Sequence, residues 1–511
     1  ISLIRSLIPD LVRILPGVSI WLGGPEVSFD CGEILRTMPQ VKGIMRGEGE
    51  ETFASLAQLY EETKMAPSDL QLSAINGISF RGEDGEIIET PDREPLALDR
   101  IPFYYKDIPP EQMEHRIVYY ESSRGCPFSC AYCLSSVEKG LRFRSLSRVL
   151  EELDYFLEQK VPQVKFIDRT FNCKKSHAMA IWNHILEKDR GITNFHFEIA
   201  ADLLDEEELE LLGQMRPGLV QLEIGVQSTN PETLKAIHRP TDLKKIGRTT
   251  ARINEGKNIH QHLDLIAGLP FEDFASFQNS FNQVYAMRPE QLQLGFLKVL
   301  NGSPMEAMAN GYGIVSSPNP PYEVLFTPWL SYKEVLALKG VEEMVEIHYN
   351  SRQFVTAMSL LEREFASPYE MFEALARYYE REGLDRLSHS RMARFEILWN
   401  FISGLGLGAE TMEEYRDALM TDLYLRENAK SRPSFARVPS YARQQAVRLL
   451  KGREENPPVL MEYRQMDSGQ RARLFHLEEM RDGSLLLFDY RRRDPLSYNA
   501  VCWEIQIHAL S

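Results

Sequence analysis

Ser123-Arg-Gly-Cys126-Pro-Phe-Ser-Cys130-Ala-Tyr-Cys133 is the stretch that decides how this 511-residue chain is interpreted. It directly follows a short apolar run at 117–121, which is typical of a buried β-strand. Three cysteines with three and then two intervening residues can wrap one corner of a cubane iron–sulfur cluster, and the loop offers no fourth cysteine. One iron of four would therefore keep an open position, to which the amino and carboxylate groups of an amino acid can bind.

Zinc is the alternative occupant of the same loop, because it also prefers thiolate ligands. A structural zinc site needs a fourth Cys or His close by, and none follows within the loop. A disulfide would leave one of the three thiols unpaired. The spacing therefore favours an iron–sulfur cluster and leaves zinc as the weaker alternative.

Six apolar strand candidates surround and follow the cysteine loop, and helical patterns fill the intervals between them. The candidates lie at 117–121, 164–168, 195–200, 220–227, 262–268 and 292–300. Alternating strands and helices predict a parallel sheet. Six units are too few to close the usual eight-stranded barrel, so we predict an open, partial (β/α)6 barrel over 116–310. The functional residues of such barrels lie at the carboxyl ends of the strands, where the polar motifs of this chain fall.

Two further regions flank the predicted barrel. Alternating helical and strand patterns over 1–98 predict an α/β domain of doubly wound, Rossmann-like type, with a hairpin around Glu83-Asp84-Gly85, and 99–115 reads as a linker. Residues 321–511 predict a mainly α extension that ends in two strands near 484–490 and 500–507, joined by a solvated turn that contains the arginines at 491–493. The first residue is Ile1 rather than Met, so we expect the chain to start inside a longer one.

The composition narrows the class of function. Lys and Arg number 58 against 74 Asp and Glu, which leaves a net charge of −16 and disfavours extended binding to nucleic acid. No apolar run approaches the length of about 20 residues that a membrane span requires. Six cysteines are too few for a disulfide framework, so we expect a reducing, cytoplasmic location.

The cysteine loop, with the aromatic Tyr132 before its last cysteine, resembles the signature of the radical S-adenosylmethionine superfamily. The resemblance extends from about Arg116 to Pro304 and is closest to the group that contains oxygen-independent coproporphyrinogen dehydrogenase and the methylthiotransferases. It implies a 4Fe–4S cluster on Cys126, Cys130 and Cys133. It also implies reductive cleavage of S-adenosylmethionine to methionine and a 5′-deoxyadenosyl radical.

The same resemblance implies a binding set for S-adenosylmethionine. Glu198 matches the carboxylate that contacts the methionine amino group, and Arg239 matches the arginine that pairs with the methionine carboxylate. The turn Gly225-Val-Gln-Ser228 supplies a ribose contact through Gln227 and Ser228, and Asp264 lies at the ribose hydroxyls; the residues implied as cofactor contacts are thus Tyr132, Glu198, Gln227, Ser228, Arg239 and Asp264.

One departure from the family pattern concerns the second barrel strand. The usual glycine pair after this strand is replaced by Phe166-Ile-Asp168-Arg-Thr-Phe171-Asn172, and similar aspartate-containing strands occur in cobalamin-linked members of the superfamily. Asp168 is a candidate catalytic residue that faces the substrate, or alternatively a cap of the following helix. The sequence leaves both roles open.

The region before the linker resembles the cobalamin-binding domain that is fused to many radical S-adenosylmethionine enzymes. The resemblance rests on Leu22-Gly-Gly-Pro-Glu26 and on the loop Arg46-Gly-Glu-Gly-Glu-Glu51. Gly23 and Gly24 at a strand end are expected to let the backbone approach a corrin or its nucleotide tail. A complete domain of this kind has further strands at its front, so the binding of cobalamin by this chain stays an open question at this stage.

The resemblance implies an anaerobic enzyme that takes an electron from a reducing partner such as flavodoxin or ferredoxin. We expect it to act on a small molecule or a peptide and, with methylcobalamin, to methylate an unactivated carbon. Cyclisation, rearrangement or oxidation is the alternative outcome, and a non-catalytic cobalamin-binding sensor is the alternative class. Methylthio transfer is disfavoured because the N-terminal region lacks the three additional cysteines of such enzymes.

The remaining cysteines and the histidines carry weaker signals. Cys31, Cys173 and Cys502 are expected to be buried apolar residues rather than ligands. The histidines at 177, 184 and 262 are interpreted as isolated residues without ligand spacing. The region from about residue 321 resembles an uncharacterised extension found in one subgroup of cobalamin-linked proteins, and we expect it to cover the barrel mouth.

Overall fold

A computed structural model describes residues 2–137, 140–440, 443–444, 447 and 466–505. The described chain contains a small N-terminal α/β region, a six-stranded parallel sheet with its helices, and a helical C-terminal region that ends in a separate sheet.

The N-terminal region is built on a four-stranded sheet in the order β1-β2-β3-β4. The strands are β1 (Ile20–Gly23), β2 (Val41–Met45), β3 (Ile78–Arg81) and β4 (Ile87–Glu89). The predicted hairpin is confirmed, because β3 pairs with β4 in antiparallel fashion. The predicted doubly wound arrangement is not confirmed, because only β1 and β2 run parallel and β2 pairs with β3 in antiparallel fashion. The helices are Ser2–Ile14, Pro25–Ser28, Cys31–Thr37, Glu50–Glu62 and Asp69–Leu72.

The first helix buries only part of its apolar face. Ile8 is buried against Leu35 and Ile44, whereas Ile4, Leu7 and the following Leu15 stay exposed. In the part of the chain that is described, no helix is both long and apolar enough to cross a membrane.

The central region carries the predicted six-stranded sheet. Its strands are β5 (Ile117–Tyr120), a short hairpin of β6 (Ser123–Arg124) and β7 (Arg142–Phe143), and then β8 (Gln163–Phe166), β9 (Asn194–Ile199), β10 (Val220–Gln227), β11 (His260–Ala267) and β12 (Gln291–Phe296). The sheet order is β12-β11-β10-β9-β8-β5 and every pair is parallel. Because β5 and β12 are both edges, the sheet is open, as the count of six strands predicted.

The helices of this region cover the outer face of the sheet. They span Leu146–Glu158, Lys175–Lys188, Glu206–Gly213, Pro231–Ala236, Leu243–Gly256, Phe274–Tyr285 and Pro304–Tyr312. Phe166, Phe171 and Phe197 pack with Trp182 of the second of these helices, at ring-centroid distances of 4.3–6.1 Å. Truncation of one such buried ring to Ala costs on the order of 3–5 kcal/mol, so this cluster anchors the strand that follows the cysteine loop.

The segment predicted as a linker packs against the barrel instead of spanning open solvent. It forms three 3-10 turns, Leu98–Arg100, Tyr104–Asp107 and Pro110–Gln112. Tyr105 is buried, donates a 2.6 Å hydrogen bond to the Tyr119 carbonyl, and its own carbonyl accepts one from Tyr155. Its aromatic residues, rather than its prolines, decide this packing.

The C-terminal region is mainly helical, as predicted. Its helices are Tyr332–Val345, the π-helix Glu346–Asn350, Val355–Leu361, Pro368–Arg381, Arg391–Ser403, Ala409–Arg426 and Ser468–Leu474. The first of these helices has one buried apolar face, formed by Val335, Leu338, Val341 and Val345. A two-stranded ribbon of β13 (Val315–Ser316) and β14 (Val324–Phe326) precedes these helices.

The final sheet corrects the sequence prediction in two respects. It has three antiparallel strands rather than two, β15 (Phe475–Glu479), β16 (Leu485–Arg493) and β17 (Ala500–Ile505). The arginines at 491–493 continue β16 instead of forming the turn, which lies at 494–499, where Asp494 accepts a hydrogen bond from the backbone of Ser497. The predicted strand end at 506–507 lies outside the described residues.

Candidate active site

The cysteine loop is closed at its base by the hairpin of β6 and β7, in which Ser123 pairs with Phe143 and Arg124 with Arg142. We call residues 122–125 and 140–144 the loop neck. Gly125 has a φ of +93°, and a Cβ at this position would lie 2.5 Å from the Gly140 carbonyl oxygen. Only glycine fits there, so both strands of the neck can approach each other closely.

Asp168 holds the neck from the barrel side. Its carboxylate accepts hydrogen bonds from the Ser122 backbone at 2.9 Å and from the hydroxyls of Ser122 and Ser123, each at 2.6 Å. The side chain is fully buried, and burial raises its pKa to about 6. The sequence left two roles open for Asp168, facing the substrate or capping a helix, and these contacts correspond to neither. Asp168 instead fixes the chain immediately before the cysteines.

A cavity of about 180 Å³ lies between the cysteine loop and the carboxyl ends of the barrel strands. All three cysteines of the loop reach it as free thiols. Five of the six residues implied as S-adenosylmethionine contacts line it too: Tyr132, Glu198, Gln227, Arg239 and Asp264. The fold therefore brings together residues that are up to 138 positions apart in the chain, from Cys126 to Asp264.

Arg239 joins the loop to the barrel wall. One guanidinium nitrogen lies 3.4 Å from the Cys130 sulfur and 3.2 Å from the Tyr132 hydroxyl, and the other donates to the Gly225 carbonyl. Its Nε makes no hydrogen bond and is buried. A cation held in this position can pair with a carboxylate that enters the cavity.

Two carboxyl groups of the cavity have raised pKa values. Burial, together with the neighbouring Glu223, raises the pKa of Glu198 to about 7, and burial also raises the pKa of Asp264. Gln227 has a φ of +72°, and its Oε1 is buried without a hydrogen-bond donor. Because buried polar groups are normally hydrogen-bonded, this oxygen is an acceptor that a polar ligand can satisfy.

Four polar residues on the inner face of the sheet were missed by the sequence interpretation. Lys165 donates to Glu223 at 2.9 Å, and Nε2 of His196 lies 2.9 Å from the same carboxylate oxygen. These contacts hold the pKa of Glu223 at about 2. His262 lies 3.1 Å from Asp264, and its strand register places it beside Glu223, so the prediction that His262 is isolated is wrong.

Strand alternation carried the signal for these residues. In β11, His260, His262 and Asp264 are two residues apart, and alternate residues of a strand point to one face. The same spacing holds for His196 and Glu198 in β9. A polar residue at every second position of a strand with apolar neighbours therefore indicates the inner face of the barrel.

Ser228 is not brought to the cavity. Its side chain is fully buried, and the hydroxyl donates a 2.7 Å hydrogen bond to Glu272, which also accepts one from Ser280. Burial raises the pKa of Glu272 to about 7. The positive φ of Gln227 turns the chain here, so Gln227 and Ser228 point in different directions.

The remaining candidates do not line the cysteine cavity. Gly23 ends β1, and Gly24, with a φ of +95°, precedes the helix Pro25–Ser28. Cys31 is buried and Cys502 partly buried, and Cys173 lies in the 3-10 turn Phe171–Cys173 without lining the cavity. His177 contacts the Ser122 hydroxyl at 3.1 Å and His184 contacts Asp154 at 2.8 Å.

An open parallel barrel with three cysteines on the loop after its first strand defines a class of enzymes that use an iron–sulfur cluster. Residues 120–284 match the Radical SAM superfamily. Residues 310–485 match a family described as a protein of unknown function, DUF4080.

Several curated proteins are similar to this chain. An uncharacterised methyltransferase of Pyrococcus horikoshii is 29% identical over 230 residues, which cover 43% of this chain and 48% of that protein. An anaerobic magnesium-protoporphyrin IX monomethyl ester cyclase of Rubrivivax gelatinosus is 22% identical over 57% of this chain and 52% of its own. The cobalamin-dependent radical SAM methyltransferase TokK of Streptomyces tokunonensis is 26% identical over 60% and 47%. The chain thus spans about half the length of these relatives.

One solved structure shares the fold over most of the chain. It is that of the cobalamin-dependent S-adenosylmethionine radical enzyme OxsB with aqua-cobalamin and S-adenosylmethionine bound. The TM-score is 0.51 at 17% sequence identity, and the match covers 83% of this chain and 68% of that one.

Proposed function

We propose that this protein is a radical S-adenosylmethionine enzyme that uses cobalamin to methylate an unactivated carbon of a small molecule or peptide. The observation that carries the proposal is the single cavity in which three free cysteines face Glu198, Gln227, Arg239 and Asp264. When bound, a reduced 4Fe–4S cluster supplies the electron that cleaves S-adenosylmethionine, and cobalamin supplies the methyl group.

The donor set fits a cluster better than zinc. Cys126, Cys130 and Cys133 line one side of the cavity, and no fourth cysteine or histidine of the described chain lines it. Thr170 lies 3.5 Å from the Cys126 sulfur, and Arg239 lies beside that of Cys130, so donors surround the thiolates. Three thiolates with an open position suit a cluster that must bind a further ligand, whereas a structural zinc site is closed by four ligands.

The cavity residues fit the functional groups of S-adenosylmethionine. Arg239 is fixed by the Gly225 carbonyl and offers the cation for the methionine carboxylate. Glu198 is a carboxylate whose pKa of about 7 allows it to accept from an ammonium group near neutral pH. Gln227 presents a buried oxygen that lacks a hydrogen-bond donor, and the Asp264 carboxylate lines the same cavity, so both offer acceptors that suit the ribose hydroxyls.

The N-terminal region presents its strand ends to the barrel, and this supports a role in holding cobalamin. Phe29 lies over Gly302, where a Cβ would come within 2.2 Å of the ring, and Glu26 accepts a hydrogen bond from Tyr322. Glu48, which follows β2, pairs with both arginines of the loop neck. The carboxyl ends of β1 and β2 therefore face the same edge of the barrel as the cysteine loop, which is the side from which a methyl donor must act.

The similarity to TokK favours methyl transfer, and the similarity to the cyclase keeps a radical reaction without methylation as the second candidate. A reducing partner such as flavodoxin or ferredoxin is part of the proposal, because the cluster must be reduced before each cleavage. We propose a cytoplasmic location on the same ground.

The first experiment tests the radical step. Anaerobically reconstituted protein should bind about four irons and form 5′-deoxyadenosine from S-adenosylmethionine under dithionite. Cys130→Ala should abolish both, whereas the matched control Cys173→Ala, a cysteine close to the loop but outside the cavity, should retain both. Full activity of the Cys130→Ala variant, or tight binding of zinc instead of iron, would reject the assignment.

The second experiment tests cobalamin and the outcome. Protein titrated with hydroxocobalamin and desalted should retain the absorbance of the corrin, and a Gly24→Val variant should retain less. With S-adenosylmethionine carrying a deuterated methyl group, a product that gains the label indicates methylation, whereas an unlabelled product with a changed carbon skeleton indicates the cyclase-type reaction. Protein that loads iron and cleaves S-adenosylmethionine but retains no corrin would reject the cobalamin part alone.

A further inference from the structure

A single carboxylate of the N-terminal region bridges both strands of the loop neck. Glu48 forms a two-point ion pair with Arg142 of β7, and its Oε1 also lies 3.1 Å from Arg124 of β6. The backbone N–H of Leu96 donates to the same carboxylate at 2.8 Å. The side chains of Glu48, Arg124 and Arg142 are 16%, 18% and 24% exposed, so water screens these charges only in part.

Each arginine of the neck is held by a second contact. Arg142 donates to the Leu96 carbonyl at 2.6 Å, and Arg124 donates to Glu50 and Glu121 at 2.8 and 2.7 Å. Although burial opposes ionisation, the arginines hold the pKa of Glu48 at about 2, so the carboxylate is charged at all physiological pH values. The geometry of a planar guanidinium against a carboxylate is directional, which fixes orientation as well as distance.

These contacts occur at the point where small shifts matter most. Arg124 is two residues before Cys126, and Gly140 contacts Gly125 directly. Asp168 accepts hydrogen bonds from Ser122 and Ser123 on the barrel side, so the loop neck contacts two carboxylates, those of Asp168 and Glu48, from different parts of the chain. A rotation of the N-terminal region that moved Glu48 would be transmitted to both strands of the neck and hence to the cysteines.

We infer that Glu48 is a positioning residue that fixes the cysteine loop relative to the N-terminal region. It thereby sets the distance between the cluster and whatever that region carries. The inference rests on the proposed function for its catalytic consequence but not for its structural content, and the test separates the two.

Glu51, three residues after Glu48 in the first turn of the helix Glu50–Glu62, provides a matched control. It forms ion pairs with Arg93 at 3.5 Å and Arg100 at 2.6 Å, and neither partner belongs to the loop neck. Glu51→Gln therefore removes the same charge from a nearby position without touching the cysteine hairpin. Glu48→Asp keeps the charge but withdraws the carboxylate by one methylene.

The test compares Glu48→Gln, Glu48→Asp and Glu51→Gln in the reconstituted full chain. Hydrogen exchange of peptides that cover 122–144 should be faster in Glu48→Gln than in Glu51→Gln, and this readout needs no turnover. Formation of 5′-deoxyadenosine, at equal iron content, should fall about tenfold in Glu48→Gln, because misplacement by part of an ångström costs rates of this order. Glu48→Asp should lie between Glu48→Gln and the unmodified protein.

The outcomes are distinguishable. Exchange and rate in Glu48→Gln that match those of Glu51→Gln would overturn the inference. If Glu48→Gln fails to load iron, the test relies on Glu48→Asp, which keeps the charge and moves the carboxylate. An unchanged rate and unchanged hydrogen exchange in Glu48→Asp would show that the position of the carboxylate does not matter, and this would overturn the inference. If the unmodified protein forms no 5′-deoxyadenosine with a loaded cluster, the proposed function fails, while the exchange result still tests the grip of Glu48 on the neck.

Discussion

Removal of the Asp168 carboxylate is the sharpest test of how the barrel holds the cysteine loop. Asp168→Ala leaves three buried donors without their acceptor: the Ser122 backbone N–H and the hydroxyls of Ser122 and Ser123. Hydrogen bonds to a charged group contribute about 1.5–3 kcal/mol each, so the gross loss for three bonds is about 4.5–9 kcal/mol. The hydroxyls can turn, and Ser122 has His177 at 3.1 Å, which reduces the loss toward its lower end.

The desolvated charge offsets part of this loss. The pKa of Asp168 is raised from 3.8 to about 6, and two pKa units correspond to about 3 kcal/mol that the native state loses above that pH. Subtracting this offset from the gross loss leaves about 1.5–6 kcal/mol, and we expect a net cost of about 3 kcal/mol, in the lower half of that range, for Asp168→Ala at pH 7. Asp168→Asn keeps an acceptor oxygen and removes the charge, so its net cost should be within about 1 kcal/mol of zero.

The assay is thermal unfolding of the anaerobically reconstituted protein, followed at the transition of the barrel, together with its iron content. A cost of about 3 kcal/mol lowers the midpoint by about 6–12 °C for a unit of this size. Because the folded protein favours the protonated carboxyl, the stability of the unmodified protein relative to Asp168→Asn should fall as the pH rises from about 4 to about 6. An Asp168→Ala midpoint within 2 °C of the unmodified protein, with full iron content, would refute the reasoning; Ser123→Ala, which removes one of the three bonds, should lie between them at about 1 kcal/mol.

Two further predictions concern the S-adenosylmethionine contacts. Arg239→Gln and Asp264→Asn should each weaken S-adenosylmethionine binding about 10- to 100-fold in equilibrium titrations, which is the loss expected for one charge-assisted contact of about 1.5–3 kcal/mol. The control Arg216→Gln, which alters an arginine on the loop before β10, should leave the affinity unchanged. Normal affinity in both cavity variants would contradict the assignment. Because Glu198 must be ionised to hold an ammonium group and its pKa is about 7, affinity should rise between pH 6 and pH 8, and Glu198→Gln should abolish this dependence; an equal pH dependence in the Gln variant would exclude Glu198 as its source.

The six parallel strands of the open barrel could be predicted from the sequence, and the assignment of Cys126, Cys130 and Cys133 as cluster ligands stays a prediction. The apolar runs are continuous enough to mark six buried strands, and β10 begins and ends at the predicted residues. The spacing of Cys126, Cys130 and Cys133 restricts the chemistry because three thiolates within eight residues must face one ligand. A local sequence pattern is sufficient to predict these features, because both the apolar period of a strand and the spacing of cysteines in a loop involve only residues close together in the chain.

Tertiary structure decided which polar residues meet. Asp168 and Ser228 were placed in the site by their positions in motifs, yet both are fully buried and committed to Ser122 and Glu272. Their direction depends on backbone turns and neighbours that lie 44–46 residues away, and a motif does not record them.

The contact between Glu48 and the loop neck could likewise not be predicted from the sequence, because it joins the loop after β2 to β7, 94 positions further along the chain. From the sequence alone, a charged residue in a glycine-rich loop is expected to be exposed to solvent, because the sequence does not show its ion-pair partner. Sequence determined the elements and the chemistry of the loop, since both are local. Only the packing of the N-terminal region against the barrel determined which charged side chains are buried together, because this burial depends on contacts between distant parts of the chain.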